Sequence, residues 1–235
     1  MACLTLLASL ALRGALDELV SDHSRDQGVT LSFDYGASQG LVERIRNGDR
    51  ADIALLTAGG IESLQREGIL AAGSRVDLVR SDIGLAVKDG TPLPDIGNAE
   101  AFKQALLRAR SLAYSDIGAS GIYLKSLLQR LGIAEQVNAK AKILPPGLTG
   151  ELVLHGEVEL ALQQVSELMQ VAGLRIARLP AEIQQATVFS AAVFSASPSR
   201  QAAGELIRFL SSAPAATVMA RHGFEPIDGS RQPSP

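Results

Sequence analysis

Apolar runs that alternate with segments of helical periodicity constrain this chain more than any other feature of it. Residues 3–7 read as a strand, and after Ala8-Ser9 comes a helix with Leu12, Leu16, Leu19 and Val20 on one face and Asp17 and Glu18 on the other. Gly28 closes that segment and Val29-Thr30-Leu31-Ser32-Phe33 alternates as a strand should. Gly36-Ala37-Ser38 then opens a short helix carrying Leu41, Val42 and Ile45, which ends at Asn47-Gly48. Residues 51–56 are apolar around Asp52, as in a buried parallel strand, and a helix over about residues 60–67 stops at Gly68. This β-α-β-α-β-α order specifies a mostly parallel sheet covered by helices. In such sheets ligands bind beyond the carboxyl ends of the strands. Ser9 and Ser38, at strand-to-helix junctions, belong to that edge, and as small hydroxyl residues there both suit N-caps. Asp52 is expected to tie a neighbouring loop.

The second half repeats the scheme. Residues 83–88 read as a strand, and the turn-rich residues 89–95 as the crossing into a second lobe. A helix over 99–109 leads to Ser111-Leu112-Ala113-Tyr114, then to a small-residue loop ending at Gly118-Ala119-Ser120-Gly121. A helical pattern with Leu124, Leu127, Leu128 and Leu131 follows at once. Gly118 and Gly121 permit a sharp turn there, and Ser120 suits an N-cap. Free backbone N–H groups and the positive end of a helix dipole suit an anion. Gly-Ala-Ser occurs in both halves, and residues 48–55 are echoed by 156–164. The echo implies two similar lobes: residues 1–88 with 189–227, and residues 89–188, with 228–235 a loose polar tail. Residues 188–197 carry the chain back to the first lobe.

Composition excludes several classes. With 46% hydrophobic and 20% charged residues this is an ordinary globular chain, and a net charge of −3 with no Lys/Arg cluster argues against nucleic acid. The lone Cys3, read as a buried strand residue, permits no internal disulfide, and His23, His155 and His222 lack metal-ligand spacing. His155 reads as a surface residue at a helix end. Neither metal nor cofactor is expected. No apolar run reaches the ~18–20 residues of a membrane span. The first residues lack a basic segment and an Ala-x-Ala cleavage site, so the chain as written reads as cytoplasmic, or as periplasmic if a leader has been trimmed. No hydrolase triad order, phosphate-binding loop or zinc-protease motif occurs.

The order of motifs resembles a known family. Ala8-Ser9-Leu10 is followed by Ala37-Ser38-x-x-Leu41-x-x-x-Ile45-x-x-Gly48-x-x-Ala51-Asp52, by Ser120-Gly121-Ile122-Tyr123-x-Lys125 and by His222-Gly223-Phe224. The set is similar to the molybdate-binding type of bacterial solute-binding protein, with the type II periplasmic-binding-protein fold. That resemblance implies two α/β lobes joined by two crossovers, a ligand clamped in the cleft between them, and an ABC permease as partner. It implies an anion held by hydroxyls and backbone N–H groups. Ser9, Ser38 and neighbouring Gln39 are its candidates from the first lobe, and Ser115, Ser120, Gly121 and Thr149, or Leu148 beside it, from the second. Gln164, beside Gln163, replaces the family's oxyanion-binding tyrosine, and Arg13 adds a cation one turn into the first helix. Both departures favour a small di- or tricarboxylate over a molybdate-like oxyanion, because Arg grips carboxylates with two parallel hydrogen bonds. A solute-binding protein is the first expectation. The alternative is an isomerase on the same scaffold, similar to aconitate isomerase, which moves a proton across an allylic tricarboxylate and needs a general base. Asp116, Tyr114, Tyr35 and Glu167 are the titratable residues nearest the expected cleft, and none is singled out as catalytic.

Overall fold

The computed structural model describes residues 3–27 and 30–227, the side chains of 21–27 excepted. Residues 228–235, expected as a loose tail, and Gly28, expected as a helix stop, lie outside the described residues, as does Val29 at the start of the second expected strand. The chain divides into a first unit, Met1–Ser81 with Val188–Pro235, and a second, Asp82–Thr187. It passes between them twice.

In the first unit β1 (Cys3–Ser9) runs through a 3-10 turn (Leu10–Leu12) into α1 (Arg13–Gln27). Then come β2 (Thr30–Gly36), α2 (Ser38–Arg46), β3 (Ile53–Thr57), α3 (Ala58–Arg66) and β4 (Val76–Ser81). The second unit holds β5 (Ile83–Lys88), α4 (Ala99–Arg108), β6 (Leu112–Ser115), α5 (Ala119–Arg130), α6 (Ala134–Asn138) and β7 (Ala141–Leu144). It continues with α7 (Gly150–Leu154), β8 (Leu160–Gln164), α8 (Val165–Leu168) and β9 (Leu174–Arg178). The chain returns to the first unit through β10 (Thr187–Val193), α9 (Arg200–Leu210), α10 (Ala213–Arg221) and β11 (Glu225–Pro226).

The strand order is β11-β4-β10-β3-β1-β2 in the first sheet and β7-β6-β8-β5-β9 in the second. Both sheets are mixed. β1 and β6 each pair in parallel with two neighbours, whereas β3 and β8 each take an antiparallel strand on the other side, β10 and β5. β5 thus belongs to the second sheet, where it pairs with β8 and β9, and not to the first lobe as its sequence position suggested. The crossing falls at Ser81–Asp82. The turn-rich residues 89–95 follow β5 inside the second unit, with the Asp89 N–H on the Gly173 carbonyl and the Thr91 N–H on Lys88. An apolar run specifies burial on both faces; it does not specify which sheet supplies the neighbours.

The two sheets also sort the echoes. β3 and β8 occupy equivalent places, so the recurrence of residues 48–55 in 156–164 reflects topology. The Gly-Ala-Ser recurrence does not: Ser38 follows the edge strand β2, whereas Ser120 follows β6, the counterpart of β1. Ser9 is therefore the counterpart of the Ser120 loop.

Period-2 alternation builds two cores on each sheet. Leu4, Leu6, Ile53 and Leu55 pack with α1, α9 and α10, while Leu7, Ala54 and Leu56 pack with α2 and α3. On β8, Leu160 and Leu162 join Leu124, Leu127 and Leu128 of α5, while Ala161 faces Val153 of α7 and Leu168. Continuing that alternation puts Gln164 on the α5 face and Gln163 on the α7 face. Asp52 ties the first unit at the amino ends of its strands. Its Oδ2 accepts from the Thr5 N–H (2.9 Å) and hydroxyl (3.2 Å), and its Oδ1 from the Ser197 hydroxyl (2.6 Å). Cys3 lies in β1 as expected but is exposed, because it starts the strand beyond the cover of the helices. No helix among the described residues is long and apolar enough to cross a membrane.

Candidate anion-binding site

The carboxyl edge of the first sheet ends in Ser9, Gly36 and Thr57, with Ser9 paired to Gly36 across β1 and β2. Ser9 is buried and its side chain makes no cap bond. Ser38 is the first residue of α2 with Ala37 in the cap position, and its Oγ accepts from the Thr57 N–H at 3.3 Å. The serines thus do not cap their helices as expected; Ser38 instead links the start of α2 to the end of β3. Thr57 was missed from the sequence because α3 was read as starting near Gly60, whereas it starts at Ala58, directly on Thr57. The signal was present in the strand-to-small-residue change Leu56-Thr57-Ala58-Gly59.

Arg13 heads α1, half-buried, and makes no ion pair among the described residues. Gln39 is not drawn into this group: it is exposed and donates along α2 to Glu43 (3.3 Å). Tyr35 donates to Asp17 Oδ1 at 2.9 Å, and burial first, then Asp17, pushes its phenol well above the usual range. It is a poor base.

In the second unit β6, β7 and β8 run parallel, so Ser115, Leu144 and Gln164 reach one edge together. Ser115 Oγ accepts from the Gly118 N–H at 3.1 Å, and Gly118 occupies the cap position of α5 at an ordinary negative φ. Ser120 is the second helical residue and not the cap. It is 2% exposed, and its Oγ has no hydrogen-bond partner among the described residues. At Gly121 a Cβ would fall 1.8 Å from the Ser115 carbonyl oxygen, so only glycine lets α5 close against the end of β6. The first N–H groups of a helix have no intrahelical partner. Here they stand beside an unengaged hydroxyl.

Thr149 and Gln163 are engaged with each other. The Thr149 N–H (2.9 Å) and hydroxyl (2.8 Å) both donate to Gln163 Oε1, while Gln163 Nε2 donates to the Gly147 carbonyl (2.8 Å). The expected Thr149 donor is thus already committed, and Gln163 anchors the loop between β7 and α7. Gln164 donates through Nε2 to the Thr187 hydroxyl at 2.7 Å.

Two carboxyls mark the same edge. Asp116 follows β6, its N–H on the Leu144 carbonyl (2.9 Å), and its Oδ1 is buried without a partner. Glu167 is the third residue of α8, whose cap is Gln164. Its carboxyl accepts from the Gln164 backbone N–H and the Gln163 amide, the carboxylate half of a capping box. Most of the residue is buried, and part of its surface reaches solvent. That burial pushes it up to about 7, against the opposing pull of both hydrogen bonds. Tyr114 is not available: it is fully buried, donates to Asn138 Oδ1 at 2.7 Å, and burial raises its phenol. His155 is exposed at the end of α7. No cluster of metal-ligating side chains occurs among the described residues. A cavity of about 650 Å³ in the second unit, lined by Val87, Ala105, Arg108, Glu159 and Leu160 among others, opens where β6 and β8 begin, and it contains none of the candidate residues.

Residues 4–225 match the family of bacterial extracellular solute-binding proteins. Aconitate isomerase from Pseudomonas sp is 37% identical over 231 residues, spanning 95% of this chain and 88% of that protein. The periplasmic molybdate-binding protein of Azotobacter vinelandii superposes with a TM-score of 0.79 at 18% identity, covering 94% of this chain and 98% of that one. The sulfate-binding protein SubI of Mycobacterium tuberculosis H37Rv also gives 0.79 at 18% identity, over 98% of this chain and 88% of that one. The two structural matches establish the fold: two mixed sheets flanked by helices in the two-lobed periplasmic-binding arrangement.

Proposed function

The chain belongs to the bacterial extracellular solute-binding protein family, and we propose that it uses this scaffold to bind a small tricarboxylate and shift a proton across it, as aconitate isomerase does. The observation that carries the reading is Glu167, a carboxyl raised to about 7 at the edge where an anion-ready helix begins. A general base works best when its pKa lies near the operating pH.

The chemistry is an allylic shift. Glu167 takes a proton from the CH₂ beside the double bond, the electron pair spreads over three carbons and the adjoining carboxylate, and a proton returns to the former vinyl carbon. The conformation about the former CH₂–C single bond fixes the geometry of the new double bond, which permits the cis-to-trans change. No atom is gained or lost. In the second unit the N–H groups at the start of α5 and the Ser120 hydroxyl suit an anion; in the first, Ser9, Ser38 and Arg13, which makes no ion pair among the described residues, suit a carboxylate. The family's extracellular character supports action outside the cytoplasmic membrane.

A second reading follows from the family itself: capture of the same ligand without chemistry, for delivery to an ABC permease. A thermal-shift panel of cis-aconitate, trans-aconitate, citrate, sulfate and molybdate tests the ligand class. Saturation at 100 times Kd stabilises a protein by about 2.7 kcal/mol. Stabilisation by aconitate supports the proposal; stabilisation by molybdate or sulfate alone sinks it.

A further inference from the structure

The loop between β6 and α5 holds an acceptor that the proton shift leaves unused. Asp116 Oδ1 is buried with no hydrogen-bond partner among the described residues. Lys125, four residues beyond Gly121 on α5, sends its Nζ to the Asp116 backbone carbonyl (2.9 Å) and not to the carboxylate. Around it the edge is well satisfied. Ser115 holds the Gly118 N–H, Gln163 holds Thr149 and Gly147, and Gln164 holds Thr187.

The other unpartnered group of this loop is the Ser120 hydroxyl. The two groups make opposite demands. A hydroxyl donates or accepts, and with the α5 N–H groups it favours an anion. A carboxylate only accepts, and it repels a second anion. One ligand satisfies both if it presents an ionised group to α5 and a proton donor to Asp116.

We infer that Asp116 is a specificity residue that admits a small polycarboxylate with one carboxyl still protonated, and turns away fully ionised tetrahedral oxyanions. Sulfate and molybdate have four oxygens and no proton to offer, so they would leave a buried acceptor unpaired and face a like charge. Rejection of this kind is specificity by penalty on the wrong ligand. It operates on a scaffold whose structural relatives include molybdate- and sulfate-binding proteins. The inference rests on the start of α5 being the ligand site, as proposed above.

The test is isothermal calorimetry of the full chain and of Asp116→Asn with sodium sulfate, sodium molybdate and cis-aconitate at pH 7. Asn keeps the shape, removes the charge and offers an N–H donor. Affinity for sulfate or molybdate should rise on the order of 100-fold in the variant, with no comparable gain for cis-aconitate. Asp116→Ala, which also removes the charge, makes the same comparison if the Asn variant misfolds, as far-UV circular dichroism would reveal. Oxyanion affinities that agree within threefold between wild type and both variants overturn the inference. So does wild-type protein that binds molybdate as tightly as cis-aconitate. A variant that gains oxyanion binding while neither protein binds cis-aconitate upholds Asp116 and removes the tricarboxylate reading. Aconitate turnover with unresponsive oxyanion affinities does the reverse.

Discussion

Replacing Glu167 by Gln should change how stability depends on pH, in a direction fixed by the carboxyl's surroundings. The group titrates near 4.5 when free and at about 7 in the folded protein, because burial disfavours its charged form. Below pH 4.5 it is protonated in both states and imposes no penalty. As pH rises from 4.5 to about 7 the unfolded chain ionises it readily while the folded chain resists, so stability falls. Above 7 the loss is complete. At ~1.4 kcal/mol per pKa unit the loss is roughly 3 kcal/mol, or about 2 if the carboxyl keeps some water. Gln accepts the same backbone N–H without ionising. Urea unfolding of both proteins at pH 4.5, 6 and 8 gives the difference directly. Carboxylates held low by ion pairs, such as Asp34 beside Arg44 and Asp77 beside Arg75, destabilise both proteins alike on acidification, so they cancel. Glu167→Gln should gain about 2–3 kcal/mol over wild type between pH 4.5 and 8. A difference constant to within about 0.5 kcal/mol would refute the buried-carboxyl account.

Ser120→Ala removes a hydroxyl with no partner among the described residues, so the unfolding midpoint should stay put while ligand affinity drops about tenfold, read by calorimetry. Gly121→Ala forces a Cβ onto the Ser115 carbonyl and should cost roughly 2–4 kcal/mol in urea unfolding, with loss of binding. Asp52→Ala breaks the tie to Thr5 and Ser197 at the opposite end of the first sheet. It should destabilise by about 2–4 kcal/mol and leave the affinity of the folded fraction unchanged.

Residues 3–66 disclosed their architecture because local pattern and neighbouring strand coincide: β1, β2 and β3 follow one another and pair together. β5 did not, since its partners β8 and β9 lie far along the chain and its apolar run carries no address. The junction serines were legible as edge residues, but their roles hinged on a one- or two-residue offset. Ala37 and Gly118 take the cap positions, which frees Ser38 and Ser120 from capping. Gln163 shows a different limit. Its grip on Thr149 and Gly147 is a tertiary bond across the β7–α7 loop, with no trace in spacing. Glu167 and the two tyrosines stood together as titratable candidates, and only their surroundings separate them. Tyr114 and Tyr35 have their hydroxyls committed, whereas burial tunes the carboxyl of Glu167.

Proton NMR of cis-aconitate incubated with the full chain at neutral pH tests the central claim most directly. The account predicts a steady rise of the trans-aconitate vinyl signal, abolished in Glu167→Gln at unchanged folding. A spectrum that stays that of cis-aconitate, in a sample where the ligand demonstrably binds, would contradict it and leave a binding protein in place of an isomerase.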